Sequence, residues 1–136
     1  MKSIANKNTW GIQSLSFWMT LLVAAAIVFI GVRFMIDPTA GADGFGIPIT
    51  AANDLAYGKI KGIRDIFSGL VLVPFLFLKM RRAAAIALTA AIIIPATDFL
   101  IVLTTNVSGD IQHLLIHGLT VVFMMVISVL LFHKGR

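Results

Sequence analysis

Seven ionisable side chains fall inside or at the edge of apolar stretches of this 136-residue chain: Arg33, Lys61, Arg64, Asp65, Asp98, His113 and His117. A carboxylate near an imidazole supports general acid–base catalysis or a proton shuttle, because burial and neighbouring charge move both groups towards neutral pH. Asp98, His117 and His113 are the catalytic candidates on that reading. His113 and His117, spaced i, i+4, also form a two-ligand pair, which Asp65 and Asp98 would complete as a His₂Asp₂ shell for zinc, iron or manganese. Lys61 and Arg64 close by would repel a cation, so no metal site is assigned and that shell stays an alternative. A third chemistry is recognition. Arg33, Lys61 and Arg64 make a cationic mouth for an anionic or carbonyl-bearing head group, with Asp65 and the Phe45 ring beside it and apolar walls for a tail. A fourth reading is structural, an interhelical network of salt bridges and hydrogen bonds that sets helix register without any ligand.

The composition says what must hold such groups. The chain is 59% hydrophobic and only 12% charged, against about 25% charged residues in soluble domains. It has no cysteine, which excludes thiol–disulfide chemistry, Cys-ligated zinc and iron–sulfur sites. Its net charge of +5 does not point to nucleic acid, because the basic residues anchor loops and form no patch with interleaved aromatics. The partner is the lipid bilayer.

Residues 15–36 are apolar except for Ser16, Thr20 and Arg33, long enough for a span of about 20 residues and too long for a signal-peptide core. Trp10 and Trp18 suit the membrane interface. Asp37-Pro38 ends the helix, since proline forces its predecessor out of the helical region. Further helices are expected over about 57–78, 83–104 and 111–132, with a tight basic turn at Lys79-Met80-Arg81-Arg82. The fold class is therefore all-α, a single integral membrane domain (1–136) of four transmembrane helices. Between the first two lies 37–57, rich in glycine and proline. It reads as an outer re-entrant or flap-like loop whose apolar tip, Phe45-Gly46-Ile47-Pro48, lies on the bundle mouth, with a short helical turn within 50–57.

Charge sorting orients the bundle. Lys2, Lys7, Lys79, Arg81, Arg82, Lys134 and Arg136 fall on one side with no acid, whereas all six aspartates fall on the other. The positive-inside rule puts both termini in the cytoplasm, and the expected address is a bacterial inner (plasma) membrane. Asp65, Asp98 and His117 then lie about 10–12 Å from the outer ends of their helices at 1.5 Å rise per residue. On the second helix Gly58, Gly62, Asp65 and Gly69 follow i, i+4, i+7, i+11 and make one close-packing stripe, with Lys61, Arg64 and Ser68 on the adjoining one. His113, His117, Thr120 and Met124 share a face of the last helix. Pro95 leaves the Ala91 carbonyl without its helical donor. Three pairings are expected: Asp65 with Arg33 or Arg64, Arg33 with Asp37, and Asp98 with at least one of the two histidines.

Gly31-Val32-Arg33-Phe34 with Pro38, Gly44-Phe45-Gly46-Ile47-Pro48, Lys61-Gly62-Ile63-Arg64-Asp65 with Ser68-Gly69, Pro95 with Asp98, and His113 with His117-Gly118 together resemble the small four-helix membrane proteins grouped as DUF4267. The plan is also distantly similar to DoxX-like membrane proteins. The DUF4267 resemblance implies the architecture and a set of shared polar positions, and no activity. The function expected is binding of an amphipathic small molecule, a lipid or a quinone in the outer polar pocket. The alternatives are a membrane-embedded enzyme using Asp/His chemistry, isomerase-like or quinone-linked, and the purely structural network. No cofactor is assigned, and self-association into a homo-oligomer stays open.

Overall fold

The computed structural model describes residues 10–105 and 110–133, and the regular structure among them is entirely helical. Helix α1 spans Leu15–Ile36, α2 Pro38–Phe45, α3 Leu55–Phe77 after a 3₁₀ turn at Ala52–Asp54, α4 Arg81–Ala91, α5 Ile93–Thr105 and α6 Ile111–Phe132. Three segments are long and apolar enough to cross a membrane: Leu15–Ile36, Arg81–Thr105 and Ile111–Phe132. Helix α3 is equally long, but Lys59, Lys61, Arg64 and Asp65 in its first half lower its hydropathy. Lys2, Lys7, Lys134 and Arg136, which contribute to the charge sorting, lie outside the described residues, as does the turn at 106–109.

The glycine stripe sets the main interface. The buried positions of α3 are Gly58, Gly62, Asp65, Gly69, Leu72 and Leu76, one continuous helical face. Helix α1 lies directly on it. A Cβ built on Gly31 would stand 2.6 Å from the Gly62 carbonyl, and one on Gly69 2.6 Å from the Ala24 carbonyl. Lipid is as apolar as leucine, so close backbone contact rather than water exclusion drives this pairing.

The expected third span is broken. Its two halves, α4 and α5, meet at Ile92. Pro95 has no N–H to return to the Ala91 carbonyl, so the hydrogen-bond ladder fails there and the helix restarts. Mid-span, the Thr89 and Ser128 hydroxyls hydrogen-bond each other across α4 and α6.

The loop expected over 37–57 is also largely helical. Pro38 takes the first position of α2, where its fixed φ suits a helix start. The Asp37 carboxylate caps the helix by accepting from the Ala40 N–H at 3.0 Å. Gly46, at φ +96, closes it in the left-handed conformation, with Ile47 and Gly46 N–H groups returning to the Ala42 and Asp43 carbonyls, the paired bonds of a Schellman stop. Gly41 and Gly44 sit inside the helix because their neighbours come close. A Cβ on Gly41 would be 2.8 Å from the Phe34 ring, and one on Gly44 3.2 Å from the Arg33 guanidinium.

The bundle has two layers. Towards the α3–α4 turn, Val23, Leu72, Leu76, Ala84, Leu88, Ile127 and Leu131 form an apolar core. Trp10 closes that end. It is buried, donating through Nε1 to the Ser16 hydroxyl at 3.0 Å, whereas Trp18 is exposed. At the same end Arg81 donates through Nη2 to the carbonyls of Leu130 (2.9 Å) and His133. A cation is thereby set at the C-terminus of α6, where the helix dipole favours it. The opposite layer holds the polar side chains.

Candidate functional site

Helix α3 sets the site because its buried stripe includes Asp65 among glycines. Lys61, one turn earlier, reaches round to that carboxylate, with Nζ 3.0 Å from Asp65 Oδ2. The same ammonium stands 3.9 Å from Asp98 Oδ2 on α5. It also lies over two aromatic faces, 4.7 Å from the Phe45 centroid and 5.3 Å from that of Phe34. A cation held by two carboxylates and two ring quadrupoles is strongly located. Lys61, not Arg33 or Arg64, is therefore the partner of Asp65. Arg64 projects to the exposed flank of α3, one hundred degrees of helix rotation per residue carrying it off the stripe.

Helix α2 brings in the Phe45 ring. Its edge meets the His117 imidazole at 4.7 Å between centroids, and its carbonyl lies 3.0 Å from His117 Nε2. A carbonyl only accepts, so Nε2 carries the proton and Nδ1 is the acceptor in the neutral ring. Asp98, expected beside at least one histidine, faces the same cavity as His117 but makes no hydrogen bond to either histidine among the described residues. His117 is held by the Phe45 carbonyl, and His113 by Asp110, with Nδ1 2.5 Å from Asp110 Oδ2. Asp110 also accepts from the His113 backbone N–H at 3.3 Å as the N-cap of α6. Nor does Arg33 pair with Asp37, whose carboxylate is spent on capping α2.

Asp110 stands outside the span, and the His113 side-chain hydrogen bond, then its backbone N–H, hold its carboxyl below the ordinary 3.8. A group depressed in the folded state contributes stability that is present above the ordinary value and is lost as pH falls through the depressed one. Asp110→Ala is therefore expected to melt below the parent at pH 6, with the gap closing as the pH falls through 3.8 and below. Paired melting curves across that range check it, and a gap that stays constant with pH would contradict it.

Arg33, Phe34, Phe45, Lys61, Asp65, Asp98 and His117 all line one cavity of about 170 Å³, together with Ser68, Pro95 and Thr120. Its remaining wall is mostly aliphatic. Of the residues proposed from sequence, Arg64 and His113 stay outside it. The His₂Asp₂ shell does not assemble, since among the described residues no three His, Cys, Asp or Glu side chains gather as metal ligands. Arg33 is exposed, lies along Gly44, and has no carboxylate within 4.0 Å among the described residues. Phe34 and Ser68 were not singled out as wall residues, although Ser68 shares the stripe of Lys61 and Arg64. Asp110, three residues before His113, was legible as a cap and hence as a histidine partner.

A family model described as "Domain of unknown function (DUF4267)" matches residues 24–131, which include every residue of this cavity. No curated protein and no solved structure matches the chain.

Proposed function

The chain belongs to the DUF4267 family, and since that membership carries no activity, we propose from the cavity itself that the protein binds an amphipathic molecule with an anionic or carbonyl head group. One observation carries this reading. Of the two cations on the cavity wall, Lys61 is matched by Asp65 and Asp98, whereas Arg33 is exposed and matched by nothing within ion-pair distance among the described residues. A guanidinium offers planar, paired donors suited to an oxyanion, and the aliphatic wall suits a tail. The volume is informative too. About 170 Å³ falls below the roughly 300–1,000 Å³ of pockets that enclose a drug-sized ligand. It has room for a head group and the first carbons only.

Titration of n-decanesulfonate into the protein in phosphatidylcholine nanodiscs, with empty discs subtracted, tests the reading. Saturable binding is expected, weakened at least about tenfold in Arg33→Gln, the loss of one charge-assisted contact. Absence of saturable binding, or equal binding by the variant, would sink it.

In this reading α3 is a fourth span. It matches the others in length and packs along α1, its charges all lie in its outer half, and two of them, Lys61 and Asp65, face the cavity. Both termini are cytoplasmic, as the basic turn at Lys79–Arg82 and the C-terminal end of α6 lie together at the opposite end from the aspartates. The chain lacks cysteine, so Ser14→Cys and Asp54→Cys can be labelled singly in intact cells with a membrane-impermeant maleimide. Labelling of the second only is expected, and the reverse pattern would invert the topology.

A second reading, acid–base chemistry on the bound molecule, draws on Asp98 and His117 sharing the cavity wall.

A further inference from the structure

We propose that the cavity takes up a single-chain amphipathic monoanion together with one proton, and that Asp98 receives the proton. This rests on the binding reading above and specifies its ligand. Four acidic or basic side chains other than histidine line the cavity: Arg33 from α1, Lys61 and Asp65 from α3, and Asp98 from α5. Two positive and two negative charges make the ionised cluster neutral before anything enters. A monoanion on Arg33 leaves one negative charge in excess between apolar walls, where an uncompensated charge is most costly. A proton on one wall group restores neutrality.

The geometry selects the group. Lys61 Nζ is at hydrogen-bond distance from Asp65, 3.0 Å, and beyond it from Asp98, 3.9 Å. Protonating Asp65 forfeits a charge-assisted hydrogen bond, whereas protonating Asp98 forfeits only a longer attraction. The remaining titratable side chain on the wall is His117 from α6, whose Nε2–H is held by the Phe45 carbonyl; a proton on its free Nδ1 would add a charge between apolar walls, whereas a proton on Asp98 removes one. Helices α2 and α4 place no titratable side chain on it.

The restriction to one chain comes from the cavity's size and its exit. Phe29, Ile30, Ile94 and Ile116 line it and are also exposed on the apolar flank of the bundle. One tail can leave there towards lipid, while the cavity has no room for a glycerol carrying two.

Calorimetric titration in phosphatidylcholine nanodiscs tests this, using two buffers of different ionisation enthalpy at steps from about pH 5 to about pH 9. n-Decanesulfonate is the probe because it stays ionised throughout, so any proton taken up goes to the protein. The expected result is an uptake that peaks close to one proton per sulfonate, with affinity falling towards tenfold per pH unit on the alkaline side. 1-Decanol is expected to bind more weakly and without protons. In Asp98→Asn the uptake should vanish, with binding independent of pH and tighter than the parent's at the alkaline end. Saturable sulfonate binding without proton uptake at any pH would overturn the linkage and leave the binding reading standing. Uptake that persists in Asp98→Asn would overturn the assignment to Asp98, and decanol binding as tightly as sulfonate would overturn the anion. Loss of the sulfonate signal in discs containing phosphatidylglycerol would overturn the single chain in favour of a two-chain lipid. No saturable binding of either probe would instead refute the binding reading itself. If Asp98→Asn does not fold, the parent's proton count and the decanol comparison still decide the linkage and the anion, and loss of the uptake in His117→Gln would overturn the assignment to Asp98.

Discussion

Lys61→Met should lower stability by about 2–4 kcal/mol, because removing one partner of a buried ion pair leaves the other charge uncompensated. The side chains of Asp65 and Asp98 are only 12% and 21% exposed, so neither is well solvated once the ammonium is gone. Their partial exposure, and their ability to protonate, keep the loss below the 3–5 kcal/mol of fully buried pairs. Methionine retains the packing of the aliphatic stem against Phe34 and Phe45, which isolates the charge. The double variant Lys61→Met/Asp65→Asn should recover a large part of the loss, since it removes the stranded carboxylate as well. Unfolding of the three proteins in the same detergent is the measurement. A single variant as stable as the parent would mean that Lys61 does not join the two helices, and a double variant worse than the single would mean that Asp65 has another support.

The second large effect is expected at the α1–α3 crossing. Gly62→Ala puts a Cβ 2.7 Å from the Gly31 carbonyl, and Gly31→Ala puts one 2.6 Å from the Gly62 carbonyl and 2.7 Å from the Ile66 nitrogen. These neighbours are backbone, so no rotamer change relieves the contact and the helices must separate. Overpacking of this kind costs about 1–3 kcal/mol, against a gain of up to about 1 kcal/mol from replacing glycine inside a helix. The net is a clear loss in either variant. Gly118→Ala is the control, because its Cβ would meet the Phe99 ring at 3.5 Å, an ordinary contact, and there the propensity gain should survive. Since Lys61 and Asp65 flank Gly62, separation should also weaken n-decanesulfonate binding. If Gly62→Ala and Gly118→Ala shift the melting temperature equally, the crossing is not held by close packing.

Much of this site was legible in the residue order. The Gly58, Gly62, Asp65, Gly69 stripe follows from helix geometry alone, and the buried face of α3 is that stripe continued through Leu72 and Leu76. The matched depth of Asp65, Asp98 and His117 follows from counting residues from the helix ends, and all three line one cavity. Even Lys61 with Asp65 was available as an i, i+4 pair. The two lie on neighbouring edges of one helix face, and the long Lys61 stem covers the remaining distance.

The sequence by itself determined an all-helical, membrane-compatible chain, its main packing face and the side chains that share the polar layer, because periodicity, span length and the cost of charge in lipid act locally along the chain. Tertiary structure decided how those side chains are partnered. Glycines that read as loop signals stand inside α2 because Phe34 and Arg33 press against them, and that contact exists only once α1 and α2 are folded together. The same helix brings the Phe45 carbonyl to His117 and its ring over Lys61. Asp98 is left as the less tightly held of the two carboxylates, and Arg33 as the cavity cation with no carboxylate within ion-pair distance among the described residues. Such pairings depend on distances between elements far apart in sequence, and differences of about 1 Å, such as 3.0 against 3.9 Å at Lys61, separate a hydrogen bond from a mere attraction.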